Sequence, residues 1–236
     1  MAKARAREGA PEGLVVLAEE QTGGKGRLGR RWHSPPGQGI WMTVVLRPPL
    51  PPAEVPRLTL VAAVAVAGAI RQVAGLPVGI KWPNDIVCRD RKLCGILTEM
   101  EADMERVHFA AVGIGINVNQ DPAAFPPELR ETATSLRAEL GAPVDRAALL
   151  RAVLAELEAG YDALLAGRFA AEVLPRWREC SVTLGRRVRV TPVVPGAEVL
   201  TGLAREVAED GALILELPDG TLRRVVAGEV SLRPEE

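Results

Sequence analysis

Short apolar runs at residues 14–18, 40–46, 78–82, 85–88, 92–100 and 107–114 are each bounded by glycine, proline or charged residues, a pattern that predicts six strands. Asp90-Arg91 reads as a hairpin turn between two of them, so the sheet is expected to be mixed and mostly antiparallel. A long helix is expected over residues 54–74, ended by Gly75 and Pro77. Helical periodicity returns over 145–166 and 168–180, with Asp145 as N-cap and Gly167 as a break. From Val182 the pattern changes to short alternating segments at 188–191, 200–207, 212–217 and 221–226, separated by Glu209-Asp210-Gly211 and Pro218-Asp219-Gly220 turns. These predict a small β-barrel that leans on a larger α+β domain, dividing the chain into residues 1–181 and 182–236. The apolar run at 58–70 is too short to span a bilayer and reads as a buried helix, and the chain opens without the apolar core of a signal peptide. A cytoplasmic protein with no membrane association is expected.

Between the first two strands lies Glu20-Gln21-Thr22-Gly23-Gly24-Lys25-Gly26-Arg27-Leu28-Gly29-Arg30-Arg31-Trp32. Its glycines allow backbone N–H groups to approach a ligand, while Lys25, Arg27, Arg30 and Arg31 repel one another until an anion arrives. The loop is therefore expected to be mobile when empty. Gly24-x-Gly26-x-x-Gly29 matches a dinucleotide fingerprint in spacing, but Pro35-Pro36-Gly37 follows instead of a helix, with no acidic residue about 20 positions on. A Walker loop is excluded because Gly26, not Ser or Thr, follows Lys25. In isolation the run could also be a solvated basic loop.

Composition narrows the choice. Of 29 basic residues only Lys3, Lys25, Lys81 and Lys92 are lysine, and the only asparagines are Asn84, Asn117 and Asn119. Where lysine and asparagine are so rare, those that remain mark places needing a compact cation or a neutral amide. All but Lys3 fall in four segments: the loop, Lys81-Trp82-Pro83-Asn84-Asp85, Lys92-Leu93-Cys94-Gly95-Ile96-Leu97, and Gly113-Ile114-Gly115-Ile116-Asn117-Val118-Asn119. A net charge of -1 gives no global attraction to nucleic acid or membrane, so the cationic loop is a local device. Cys88, Cys94 and Cys180 lack metal-ligand spacing and read as buried free thiols, and with only His33 and His108 a histidine metal centre is not expected.

These four segments, closed by Gly228-Glu229-Val230-Ser231-Leu232-Arg233, resemble the biotin protein ligases in order and spacing over nearly the whole chain. The resemblance implies a catalytic domain related to class II aminoacyl-tRNA synthetases and a C-terminal SH3-like barrel. It implies formation of biotinyl-5′-AMP from biotin and ATP, with Mg²⁺ on the triphosphate, then transfer to a lysine of the biotin carboxyl carrier protein of acetyl-CoA carboxylase. Carried residue by residue, it places Gln21, Gly24, Lys25, Gly26, Arg27, Lys92, Gly113 and Gly115 at biotin, and Arg30, Trp32, Lys81, Asn84, Asn117 and Arg233 on the ATP side. Arg27 and Lys92 would join the carboxylate to the α-phosphate, and Asp85 would orient the acceptor lysine or a metal ion, with a capping carboxylate as the rival role. Gly113 and Gly115 would give a ring access to strand backbone, and Trp32 would pack near the nucleotide, close the lid or join the core.

The family usually begins with a further strand and a Ser-Thr-Asn motif, whereas Ala2-Lys3-Ala4-Arg5-Ala6-Arg7 reads as the tail of the helix after it. A DNA-binding winged helix is not recognisable, so no operator binding is expected, and dimerisation through sheet edges is possible. A lipoate or octanoate ligase on the same fold and a non-catalytic biotin or adenylate binder are the competing expectations.

Overall fold

The computed structural model describes residues 1–192, 198–226 and 228–232. Among these, eleven strands form two antiparallel sheets. The larger contains β1 (Val15–Ala18), β2 (Gly39–Leu46), β3 (Gly79–Lys81), β4 (Asp85–Cys88), β5 (Arg91–Ala102) and β6 (Val107–Asn117), in the order β1-β2-β6-β5-β4-β3. Helices α1 (Ala2–Arg7), α2 (Pro56–Ala74), α3 (Leu136–Leu140), α4 (Arg146–Leu165) and α5 (Leu174–Cys180) surround it. The second sheet contains β7 (Arg187–Thr191), β8 (Leu200–Val207), β9 (Leu213–Glu216), β10 (Leu222–Val225) and β11 (Glu229–Ser231), ordered β10-β9-β8-β7-β11. Strand β11 is an addition to the strands read from the sequence.

Helix α2 is apolar nearly all round because it lies between the sheet and α4, burying Leu58, Leu60 to Ala67, Ala69 and Ile70. Gly160 of α4 brings the two helices together, since a Cβ there would stand 2.9 Å from Val61 Cγ1. The helix ends at Gly75, whose φ of 61° suits a residue without a side chain. It outruns the apolar segment read from the sequence and, taken over 52–74, is long and apolar enough to cross a bilayer; yet 67% of its 18-residue apolar stretch is buried inside the fold. On the other face of the sheet, Ala2 and Ala6 of α1 pack on Val45, Phe109 and Ala111. Arg47 holds this segment by donating to Ala6 O at 2.7 Å, Ala10 O at 2.9 Å and His108 O at 2.8 Å.

Three local expectations change. The hairpin turn falls on Arg89-Asp90, both left-handed with φ of 49° and 61°, one residue before the expected pair, and Arg91 opens β5. The helix expected over 168–180 begins as a wide π-type turn at Phe169–Val173 before α5, because Pro175 has no N–H to continue a regular ladder. Instead of a mixed sheet, the described strands pair antiparallel, and parallel pairing is confined to the isolated bridges Ile80 with Ser181 and Lys92 with Ala133. The cysteines are free thiols as expected, with Cys88 and Cys94 buried and Cys180 partly so.

The two sheets are joined around Trp82, which is 1% exposed. Its backbone N–H donates to Thr183 Oγ1 at 2.9 Å and its indole N–H to Gly211 O at 2.9 Å, while Val182 N donates to Ile80 O at 2.9 Å. Trp82→Phe keeps the ring but leaves a buried carbonyl without its donor, so it should lower unfolding stability by roughly 1–3 kcal/mol. Urea denaturation measures this, and an unchanged midpoint would show that the bond does not join the sheets.

Candidate active site

The glycine-rich loop between β1 and β2 is folded back on itself. Gln21 N donates to Ser34 O at 3.3 Å, Trp32 N to Gly24 O at 2.9 Å and Gly26 N to Arg30 O at 2.7 Å, so both limbs form a narrow ladder. Its tip reverses at Leu28 and Gly29, with φ of 55° and 74°. Gly24 is required by the loop itself, since a Cβ would stand 2.6 Å from Trp32 O and 2.9 Å from Gln21 Oε1.

The tip carries Arg27 under the loop toward the other motifs. Its Nη1 donates to Asn84 Oδ1 at 3.2 Å and to Gly228 O at 3.2 Å. Asn84 in turn donates Nδ2 to Ile96 O at 2.6 Å, so one amide locks the loop arginine to strand β5. The next residue, Asp85, holds Lys92 Nζ at 2.6 Å in a partly buried ion pair. Burial pulls the Arg27 guanidinium below its usual pKa, with Asp85 and Glu229 opposing that shift. Arg30 reaches the second sheet, pairing with Glu229 at 2.7 Å across an exposed surface.

Trp32 fills the space above a pair of glycines. Gly95 of β5 and Gly115 of β6 are directly opposite one another, and Cβ atoms built on them would approach the Trp32 ring to 3.1 Å and 2.5 Å. Trp41 meets the same ring edge-on at 6.4 Å, and Lys92 Nζ lies 5.4 Å from its centroid. Its indole N–H is buried without a hydrogen-bond partner among the described residues. The room expected for a ligand ring over Gly115 is thus taken by Trp32. Sequence reasoning passed over Gly95 as a site residue, although glycines on paired strands are the signal of something lying across both.

These motifs meet at one cavity of about 1010 Å³. Gln21, Lys25, Gly26, Arg27, Arg30, Trp32, Lys81, Asn84, Asp85, Lys92, Gly113, Gly115 and Asn117 line it, together with Lys3, Arg31, Arg186 and Glu229. Of the expected residues, Gly24 lies outside this lining, in the loop ladder, and Arg233 lies outside the described residues. Asn117 lines the cavity, but its amide is used within the protein: Nδ2 donates to Thr134 O at 2.9 Å and Oδ1 accepts from Gln120 at 3.1 Å. Among the described residues, no three His, Cys, Asp or Glu side chains gather as metal ligands. The cavity is a cationic cleft with a polar end, suited to a polyanionic ligand.

Residues 3–117 match the biotin/lipoate A/B protein ligase family, and residues 183–233 match the biotin protein ligase C-terminal domain. The bifunctional ligase/repressor BirA of Bacillus subtilis is 40% identical over 96% of this chain and 68% of its own length. The biotin–acetyl-CoA-carboxylase ligase of Mycobacterium tuberculosis is 36% identical over 96% of this chain and 82% of its own. This chain belongs to the biotin protein ligase family. Its fold agrees with a solved member, the biotin protein ligase of Aquifex aeolicus in complex with biotin and ATP, at a TM-score of 0.82 and 29% identity, covering 99% of this chain and 94% of that one.

Within this ligase, Gly115→Ala should push the indole off the β5–β6 floor and shift tryptophan emission to the red. Gly26→Ala, where a Cβ would meet only ordinary contacts from 3.5 Å, should leave emission unchanged. Equal spectra for the two variants would show that the glycine floor does not set the position of Trp32.

Proposed function

We propose that this chain activates biotin with ATP and passes it to a lysine of the biotin carboxyl carrier protein of acetyl-CoA carboxylase. In the first step a biotin carboxylate oxygen attacks the α-phosphorus of ATP, the bond to the β-phosphate breaks, and pyrophosphate leaves. In the second, the neutral ε-amine of the carrier lysine attacks the acyl carbon, the bond to AMP breaks, and the amine gives up its proton.

The barrier to the first step is electrostatic. Two anions at about 4 Å repel by roughly 4 kcal/mol even at an effective dielectric of 20. Arg27 and Lys92 supply the opposing charge, and because Asn84 and Asp85 already hold them, little reorganisation is needed when the phosphate charge develops. Arg30 and Lys81 line the same cavity and would receive the triphosphate, while Lys25 lines it on the biotin side. With its indole already lying across β5 and β6, Trp32 screens the reacting groups from water. The donor set fits a magnesium ion carried by ATP phosphates with Asp85 as a protein ligand, and such an ion would neutralise phosphate charge. Residues 1–181 hold the reacting groups, and residues 182–236 add Gly228 O and Glu229 to the loop. Strand β1 is the outer strand of its sheet and carries Leu17, 52% exposed, just before the loop, which supports docking of the carrier there.

The observation that carries this proposal is the meeting of Arg27 and Lys92, from distant segments, on the adjacent residues Asn84 and Asp85. Biotin-dependent pyrophosphate release tests it. Arg27→Ala and Lys92→Ala should each reduce turnover by about 10²- to 10³-fold, and lipoate should not replace biotin. Parental turnover in Lys92→Ala would reject the assignment.

A further inference from the structure

Strand β5 begins beyond the end of its partner. The β5–β6 ladder starts at Cys94 with Ile116, so Lys92 lies beyond it, and on the β4 side Lys92 faces Val87 next to the register shift between Ile86 and Val87. A segment 40 residues further along the chain takes over. Lys92 N donates to Thr132 O at 2.7 Å, and Thr134 N donates to Lys92 O at 2.9 Å, gripping the lysine backbone from both ends.

What fixes that segment is a carboxylate. Thr134 Oγ1 donates to Glu139 Oε1 at 2.6 Å, Arg91 Nη2 reaches the same oxygen at 2.6 Å, and Arg89 Nη1 stands 3.4 Å from the other. The Glu139 side chain is 0% exposed. A carboxylate so deeply buried is tolerated only when paired and hydrogen-bonded, so its partners are held firmly in turn. Asn117 pins Thr134 from the opposite side through Thr134 O, which joins the end of β6 to the same clamp.

We infer that Glu139, through Thr134, is a positioning residue for Lys92: it sets where the lysine leaves the sheet and hence where its ammonium stands beside Asp85. Glu139 does not line the cavity. The inference rests on Lys92 being a reacting cation. It gives Arg91 and Arg89 a purpose that the ligand does not supply, which is to pair with the buried carboxylate that accepts from Thr134.

Thr134→Val, Thr134→Ser and Glu139→Gln, with Lys92→Ala as reference, test this by pyrophosphate release with thermal melting alongside. Thr134→Val removes only the donor and should lower kcat about ten- to a hundredfold while KM for biotin and ATP stays within about twofold. Thr134→Ser restores the donor and should recover most of the rate. Glu139→Gln keeps the shape but not the charge and should also lower kcat, so the test survives poor folding of one variant. Parental kcat in Thr134→Val and Glu139→Gln alongside a slow Lys92→Ala overturns the inference and spares the proposed function. Equal losses in Thr134→Ser and Thr134→Val that follow melting temperature also overturn it, as the signature of simple destabilisation. A fast Lys92→Ala overturns the functional proposal beneath it.

Discussion

Two positive groups held on adjacent residues, Arg27 on Asn84 and Lys92 on Asp85, are the constraint around which this structure is arranged. Burial draws the Arg27 guanidinium below its usual pKa, so a cation placed there needs partners. The fold answers with short-range partners rather than with distance. Asn84 offers a neutral oxygen to Arg27, Asp85 offers a full charge to Lys92, and Gly228 O and Glu229 approach from the second sheet. The hydrogen-bond partners are unequal: Arg27 donates to a neutral amide oxygen and a backbone carbonyl, whereas Lys92 pairs with the Asp85 carboxylate.

The surrounding architecture follows from holding those partners still. Asn84 ends the turn after β3 and Asp85 opens β4, two and three residues after the Trp82 anchor to the second sheet. The long β5–β6 hairpin provides a flat floor where Gly95 meets Gly115, and Trp32 lies on it. The helix layer of α2 and α4 keeps that sheet rigid from behind, through an interface close enough to require Gly160. Rigid elements thus carry the fixed cations, while the loop that delivers Arg27 is held by its own backbone ladder and by the second sheet.

Much of this was legible in the chain because it depends on local pattern. The apolar runs marked the strands of the larger sheet, Gly75 and Asp145 marked helix ends, and the rarity of lysine and asparagine pointed to segments that share one cavity. What stayed hidden depends on pairings between distant residues. The contact of Arg27 with Gly228 spans 201 residues, and no periodicity announces it. Gly24 read as a ligand contact, but its need arises from the return limb at Trp32, visible only once the loop is closed. Asn117 read as a nucleotide contact, yet its amide serves Thr134 and Gln120. Glu139 gave no signal at all, because a lone glutamate on a short helix looks like any solvated surface residue until burial is known. The Arg89-Asp90 turn slipped by one residue because Arg89 lacks the usual chemistry of a left-handed position, whereas Asp90 has it.

The central claim is that the cations meet at the bond being made. A crystal structure with a non-reactive biotinyl-adenylate analogue measures this directly. The account predicts the Arg27 guanidinium and the Lys92 ammonium within about 3 Å of the linkage between acyl group and phosphate, with Lys92 still beside Asp85. A linkage seated elsewhere in the cavity, with both cations turned away from it, would contradict the account.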